Sequence, residues 1–246
     1  MAEPILDLYT LFGAVPPRGA EPGTGTLKAM MAKYGIAGAV TLSTRAIFHS
    51  PSAGNRETQV RCGESGGTLL PAGVLDPRVA QSDTLLGGSR LICLFPTTQK
   101  WPIAYAPLEN AFKGLAARGV KVPLLFEATQ PGDATQLARL LSATGYAGPV
   151  VFSGLSGPAF AEAVALAQQD ERYLLCTDSL RGVGEIAHAV SLVGASRVVF
   201  GSGGVARGSV AAALAVARVA KLSDSEREQV LGGNTKRLLA AGGAVA

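Results

Sequence analysis

Short apolar runs that read as strands alternate with longer runs that read as helices along the whole chain. No other feature restricts the fold as tightly. Strand-like runs fall at Ile5–Leu8, Ile36–Leu42, Leu69–Leu75, Arg90–Phe95, Val122–Phe126, Pro149–Phe152, Tyr173–Cys176 and Arg197–Phe200. Helix-like runs include Leu27–Tyr34, Leu108–Arg118, Asp133–Thr144, Pro158–Gln169, Arg181–Val193 and Ser209–Lys221. Such alternation marks a parallel sheet whose strands are joined by crossover helices.

Eight strands in 246 residues match an α/β fold of one closed (β/α)8 TIM-type barrel, spanning 1–246 as one domain. An open doubly wound sheet fits less well. Its first strand would run into a helix through a phosphate-cradling glycine fingerprint, whereas Gly13 and Gly19 are scattered here. Two regions are expected to be irregular: a Gly/Pro-rich loop over Thr10–Gly25, and Ser43–Gly67, with at most one short helix. Near the end, Ser223 and Glu226 have capping-box spacing. Gly232 and Gly233 are expected to stop the helix that they follow.

Composition narrows the partners. A net charge of +4 comes with no Lys/Arg run, so no nucleic-acid partner is expected. No apolar run is long enough to span a membrane. The acidic start, Met-Ala-Glu-Pro, lacks a signal pattern. Cys62, Cys93 and Cys176 are odd in number and far apart, which points to a reducing, cytoplasmic setting without disulfides. The apolar helix at Val210–Ala220 could bury more than one face, making an oligomer plausible.

Barrels place their chemistry at the C-terminal ends of the strands. Glu127 ends the fifth strand, where desolvation would suit it to acid/base work; the alternative is a carboxylate satisfied by Arg45 or Lys100. Asp76 precedes Pro77 after strand three and reads equally as a turn residue. Asp178 follows strand seven and could simply cap the next helix. His49 lies in the loop after strand two, as a general base or a solvated loop residue; His188 sits in an outer helix and reads as structural. Tyr9 could line the pocket as donor or filler, and Trp101 could close over a ligand or cover apolar surface. Cys176 and Cys93 read as buried core thiols. Gly201-Ser-Gly-Gly204, with Ser202, is either an anion-binding loop or a tight turn. Arg45, Lys100, Trp101, Tyr9 and Ser202 complete the expected substrate-binding set.

The run Arg197-Val-Val-Phe-Gly-Ser-Gly, with Leu222-Ser-Asp-Ser-Glu-Arg-Glu-Gln-Val-Leu-Gly-Gly-Asn-Thr-Lys-Arg-Leu-Leu239, resembles the closing segment of the amidohydrolase-related family. Members read R-x-x-F-G-S-D, a helix, then L-S-x-x-E-R-x-x-I-L-G-x-N. The resemblance implies a TIM barrel of the decarboxylase-like branch. It also implies a divalent metal held by His-x-His on strand one, His on strands five and six, and Asp on strand eight. Those places are Tyr9 and Leu11, Glu127, Gly154 and Gly203 in this chain, so the resemblance implies a degenerate member with no metal ligands and no cofactor. Three expectations follow. The first is a non-catalytic homologue that binds a small molecule or pairs with an active relative, as a homo- or hetero-oligomer. The alternative is a metal-independent hydrolase or lyase/decarboxylase acting on a small carbonyl or carboxylate substrate. There, Glu127, Asp76, Asp178 and His49 are the candidate catalytic groups. The third is an intact hydrolase with its ligands elsewhere, which two His residues make hard to build.

Overall fold

The computed structural model describes residues 3–16, 21–80, 86–204 and 209–245. Eight parallel strands lie side by side in chain order, a nearly closed (β/α)8 barrel. They are β1 (Ile5–Phe12), β2 (Ile36–Ser43), β3 (Leu69–Val74), β4 (Leu91–Leu94), β5 (Leu124–Glu127), β6 (Val150–Ser153), β7 (Tyr173–Cys176) and β8 (Val198–Val199). β1 meets β8 through single bonds: Leu8 N–H donates to Phe200 O at 3.0 Å, and Gly203 N–H to Tyr9 O at 2.9 Å.

Strand alternation sorts the side chains into two cores. Cys93, Leu125, Val151, Leu174, Cys176 and Val199 fill the lumen. Ile92, Leu124, Phe126, Phe152, Leu175 and Phe200 face the surrounding helices. On β1, both Leu8 and Tyr9 join the lumen cluster, because the β1–β2 register shifts between Asp7 and Thr10.

Three expectations change. β1 runs on to Phe12, three residues into the expected loop, because its backbone pairs with β2 as far as Ser43. Beyond α1 (Thr24–Tyr34), which precedes β2, the segment after β2 holds two helices, α2 (Thr44–Phe48) and α3 (Pro51–Gly63). α3 hides from periodicity because it buries Gly54, Asn55 and Thr58 rather than an apolar stripe. Asn55 replaces that stripe with two backbone bonds, donating to Val74 O at 3.0 Å and accepting from Val74 N–H at 2.8 Å. Gly232 and Gly233 do not end a helix. They form a π-helical turn, Gln229–Gly233, that runs on into a helix at Asn234–Gly242. Gly232 is needed there for closeness, since a Cβ would stand 2.0 Å from Pro4 O.

The capping box at Ser223 and Glu226 forms as expected. The helix at Asn234–Gly242 sends Leu238 and Leu239 into the lumen cluster. Arg90 donates to Leu239 O at 2.8 Å, which ties this helix to the N-terminal ends of the strands and leaves the other end as the barrel mouth.

Candidate active site

At the mouth, the strand ends place polar groups in one arc from β4 round to β1. Glu127, two residues past the lumen-facing Leu125, is 4% exposed. Its Oε2 accepts from Thr98 N–H at 2.9 Å, and its Oε1 from the Thr98 hydroxyl at 2.6 Å. Neither Arg45 nor Lys100 is its hydrogen-bond partner. Thr98 belongs to the single turn α4 (Pro96–Gln99), which Pro96 starts right after β4. Ser153 pairs in register with Glu127, is fully buried, and its hydroxyl has no hydrogen-bond partner among the described residues.

The arc continues on β7. Asp178 accepts from Gly154 N–H at 3.4 Å, an approach that Gly154 permits with φ +73°. Asp178 does not cap a helix; Gly184 holds that place ahead of the helix at Glu185–Val193, later than expected. Arg181 braces the turn by donating to Asp178 O and Ser202 O at 2.8 and 2.9 Å. Cys176 lies beneath Gly201: a Cβ there would stand 2.5 Å from the sulfur. Burial raises the Cys176 thiol well above its ordinary range, with the negative charge of Asp178 adding to the effect.

Asp7 closes the arc. It is 1% exposed. Its Oδ1 accepts from Tyr9 N–H at 3.2 Å and Ser202 N–H at 3.0 Å, while Oδ2 makes no hydrogen bond among the described residues. Burial drives its pKa up to about 7. The hydroxyl and N–H of Ser202 and the N–H of Tyr9 pull the other way, and nearby Asp178 pushes it further up. Sequence reasoning passes over Asp7, whose role depends on a loop 195 residues away. It also passes over Ser153 and Thr98. The alternation of β6 could have flagged Ser153; nothing local marks Thr98.

Tyr9 is fully buried in the lumen, tilted against Phe95 with ring centroids 6.3 Å apart. Asp76 is buried and held by Arg78, whose Nη2 lies 2.6 Å from Oδ2, with Gln99 at 3.4 Å. Trp101 is 5% exposed and donates to Gln99 Oε1 at 3.1 Å, so it covers apolar surface. Lys100 is exposed, with a left-handed backbone at φ +59°. Arg45 and His49 line a cleft of about 400 Å3 beside β1 and β2, with Glu21 and Glu57. Ser202 is buried, and its hydroxyl oxygen accepts from Gly204 N–H at 2.9 Å.

No family model matches the sequence, and no curated protein aligns with it. Solved structures of the same shape exist. One is an uncharacterized TIM-barrel protein from Bordetella bronchiseptica, with TM-score 0.75, 17% identity, and 97% of this chain and 99% of that chain covered. Another is 5-carboxyvanillate decarboxylase from Sphingomonas paucimobilis, with TM-score 0.71, 11% identity, and 97% and 99% covered. A third is dihydroxybenzoic acid decarboxylase from Polaromonas sp. JS666, with bound manganese and 2-nitroresorcinol: TM-score 0.70, 14% identity, 98% of each chain. The likeness establishes the fold, a TIM barrel.

A manganese ion needs convergent oxygen or imidazole donors. Among the described residues at this mouth, no set of donors fits one. Glu127 is the one carboxylate in the implied ligand set. The places next to it in the implied ligand set are Tyr9, Leu11, Gly154 and Gly203. No group of three His, Cys, Asp or Glu among the described residues has metal-holding geometry.

Proposed function

We propose that this chain is an enzyme of the lyase or hydrolase type that acts on a small carboxylate or carbonyl compound through carboxyl acid/base groups at the barrel mouth. Decarboxylation is the reaction we favour. The observation that carries this reading is the arc of three buried carboxyl groups, Glu127 on β5, Asp178 just past β7 and Asp7 on β1, in different environments. A catalytic carboxylic acid must keep its proton near neutral pH, and Asp7, with a pKa of about 7, does so.

In decarboxylation, the electron pair of the breaking C–C bond stays on carbon, and a proton must then reach that carbon. Asp7 would hold that proton on Oδ2, the oxygen without a backbone donor. Glu127, locked by two bonds from Thr98, would present a fixed oxygen edge to the lumen. The shape shared with two decarboxylases supports this enzymatic reading over a non-catalytic one. Aromatic acids such as 5-carboxyvanillate and dihydroxybenzoate are therefore the first substrates to try.

The test is carbon dioxide release from a panel of hydroxylated benzoates, using wild type and Glu127→Gln, before and after chelator treatment. We expect turnover that survives the chelator and falls by roughly a hundredfold or more in the variant. Absence of turnover across the panel, or an unimpaired variant, would overturn the reading.

A further inference from the structure

Beside the mouth, α2 and α3 enclose a second cleft of about 470 Å3, which Arg45, Arg56, Arg61, Glu57 and Val60 line. The two helices pack closely because residue 54 is glycine; a Cβ there would stand 2.1 Å from Ala46 N. That closeness gathers arginines from both helices onto one concave surface.

Their partners differ. Arg61 pairs with Glu64 at 3.1 Å. Glu57 turns one oxygen away to the Ser43 hydroxyl at 2.8 Å. The guanidinium groups of Arg45 and Arg56 make no hydrogen bond or ion pair among the described residues. With Arg61 neutralised by Glu64, the cleft wall holds Arg45 and Arg56 against Glu57, a net charge of +1.

A cleft at the opposite end of the barrel gives the contrast. It too holds three arginines, Arg172, Arg197 and Arg237. Each of those donates to a backbone carbonyl, of Tyr146, Asp170 and Ser196 respectively. Those guanidinium groups brace the chain. Arg45 and Arg56 brace nothing, and like charges sharing a concavity repel until an anion joins them.

We propose that the α2–α3 cleft binds an oxyanion, a phosphate or carboxylate carried on a small molecule. Arg45 and Arg56 present forked N–H donors to its oxygens. Val60, 54% exposed, offers an apolar wall to the body of the ligand. The volume falls within the usual range for small-molecule sites.

The experiment is calorimetric titration at low salt with inorganic phosphate and, separately, with benzoate. It compares wild type, the double variant Arg45→Gln/Arg56→Gln, and Arg139→Gln as a control from a different cleft. One of the two oxyanions should bind wild type and the control alike, and the double variant at least about tenfold more weakly, as expected for two lost charge-assisted contacts. The arm that gives heat identifies the anion as phosphate or carboxylate. Circular dichroism confirms that the double variant is folded. The proposal is overturned if neither anion binds wild type, or if the double variant binds as well as wild type. The readout is heat, not turnover, so it stands or falls independently of the mouth chemistry.

Discussion

Asp7 and Ser202 meet across the seam of the barrel, the carboxyl Oδ1 of one accepting the N–H of the other at 3.0 Å. A titratable group therefore sits in the one junction where the first and last strands meet. Because burial lifts Asp7 to about 7, the folded protein holds this proton where the unfolded chain, with an ordinary carboxyl near 4, has released it. The folded state binds the extra proton between about pH 4 and pH 7, so Asp7 contributes most at the acid end and its contribution is lost as pH rises toward 7. The slope is about 1.4 kcal/mol per pH unit inside that window. Asp7→Asn keeps an acceptor for both N–H groups and does not titrate. Urea unfolding at pH 5 and pH 7 should show wild type losing roughly 2–3 kcal/mol relative to the variant. Parallel pH profiles for the two proteins would remove Asp7 from the account.

Thr98 holds Glu127 from two atoms, and only one of them is side chain. Thr98→Val keeps the N–H bond to Oε2 and deletes the 2.6 Å bond to Oε1. Stability should drop by about 1 kcal/mol. Turnover of any substrate found in the benzoate panel should fall by roughly tenfold, mainly in kcat, because a loosened carboxylate is misplaced rather than absent. An unchanged kcat would mean that Glu127 needs no such clamp.

Gly232 carries the tail past the entry of β1. Gly232→Ala puts a methyl group 2.0 Å from Pro4 O, and backbone cannot step aside cheaply. Thermal unfolding should register a loss of about 1–3 kcal/mol or more. Gly23→Ala, with open space around its Cβ, is the matched control and should stay within about 0.5 kcal/mol.

All three cysteines are buried. Burial pushes the Cys62 thiol up to about 12 and raises Cys93 and Cys176 as well. Ellman's reagent should therefore find almost no reactive thiol in the native protein at pH 8 and three after denaturation. Fast labelling of one thiol in the native state would identify a site that opens.

The barrel was legible because apolar strand runs are a local signal, and each of the eight reads directly from its own residues. Glu127 was legible for the same reason, as the charged residue that ends an apolar run. α3 was not, because its buried face is polar and its stability comes from Asn55 satisfying the backbone of β3. The glycines at 232 and 233 misled because the cue for a helix stop ignores what lies opposite; here Pro4 does. Asp7 stayed hidden because its neighbours Ser202 and Asp178 become neighbours only on folding. Local signals specify the scaffold, and pairings across the barrel set the surroundings of its buried carboxyl groups.

The seam also has a kinetic consequence. Its rungs join Leu8 to Phe200 and Asp7 to Ser202, partners 195 residues apart in the second case. Contacts that distant form late, after the loop between them has been organised. Until then β1 has a bare edge on the side that β8 will cover, and bare edges recruit strands from other molecules. Refolding yield should therefore depend on protein concentration more steeply than native stability does. Mutations at the seam should show themselves first as lost soluble protein, and only afterwards as a lower melting temperature.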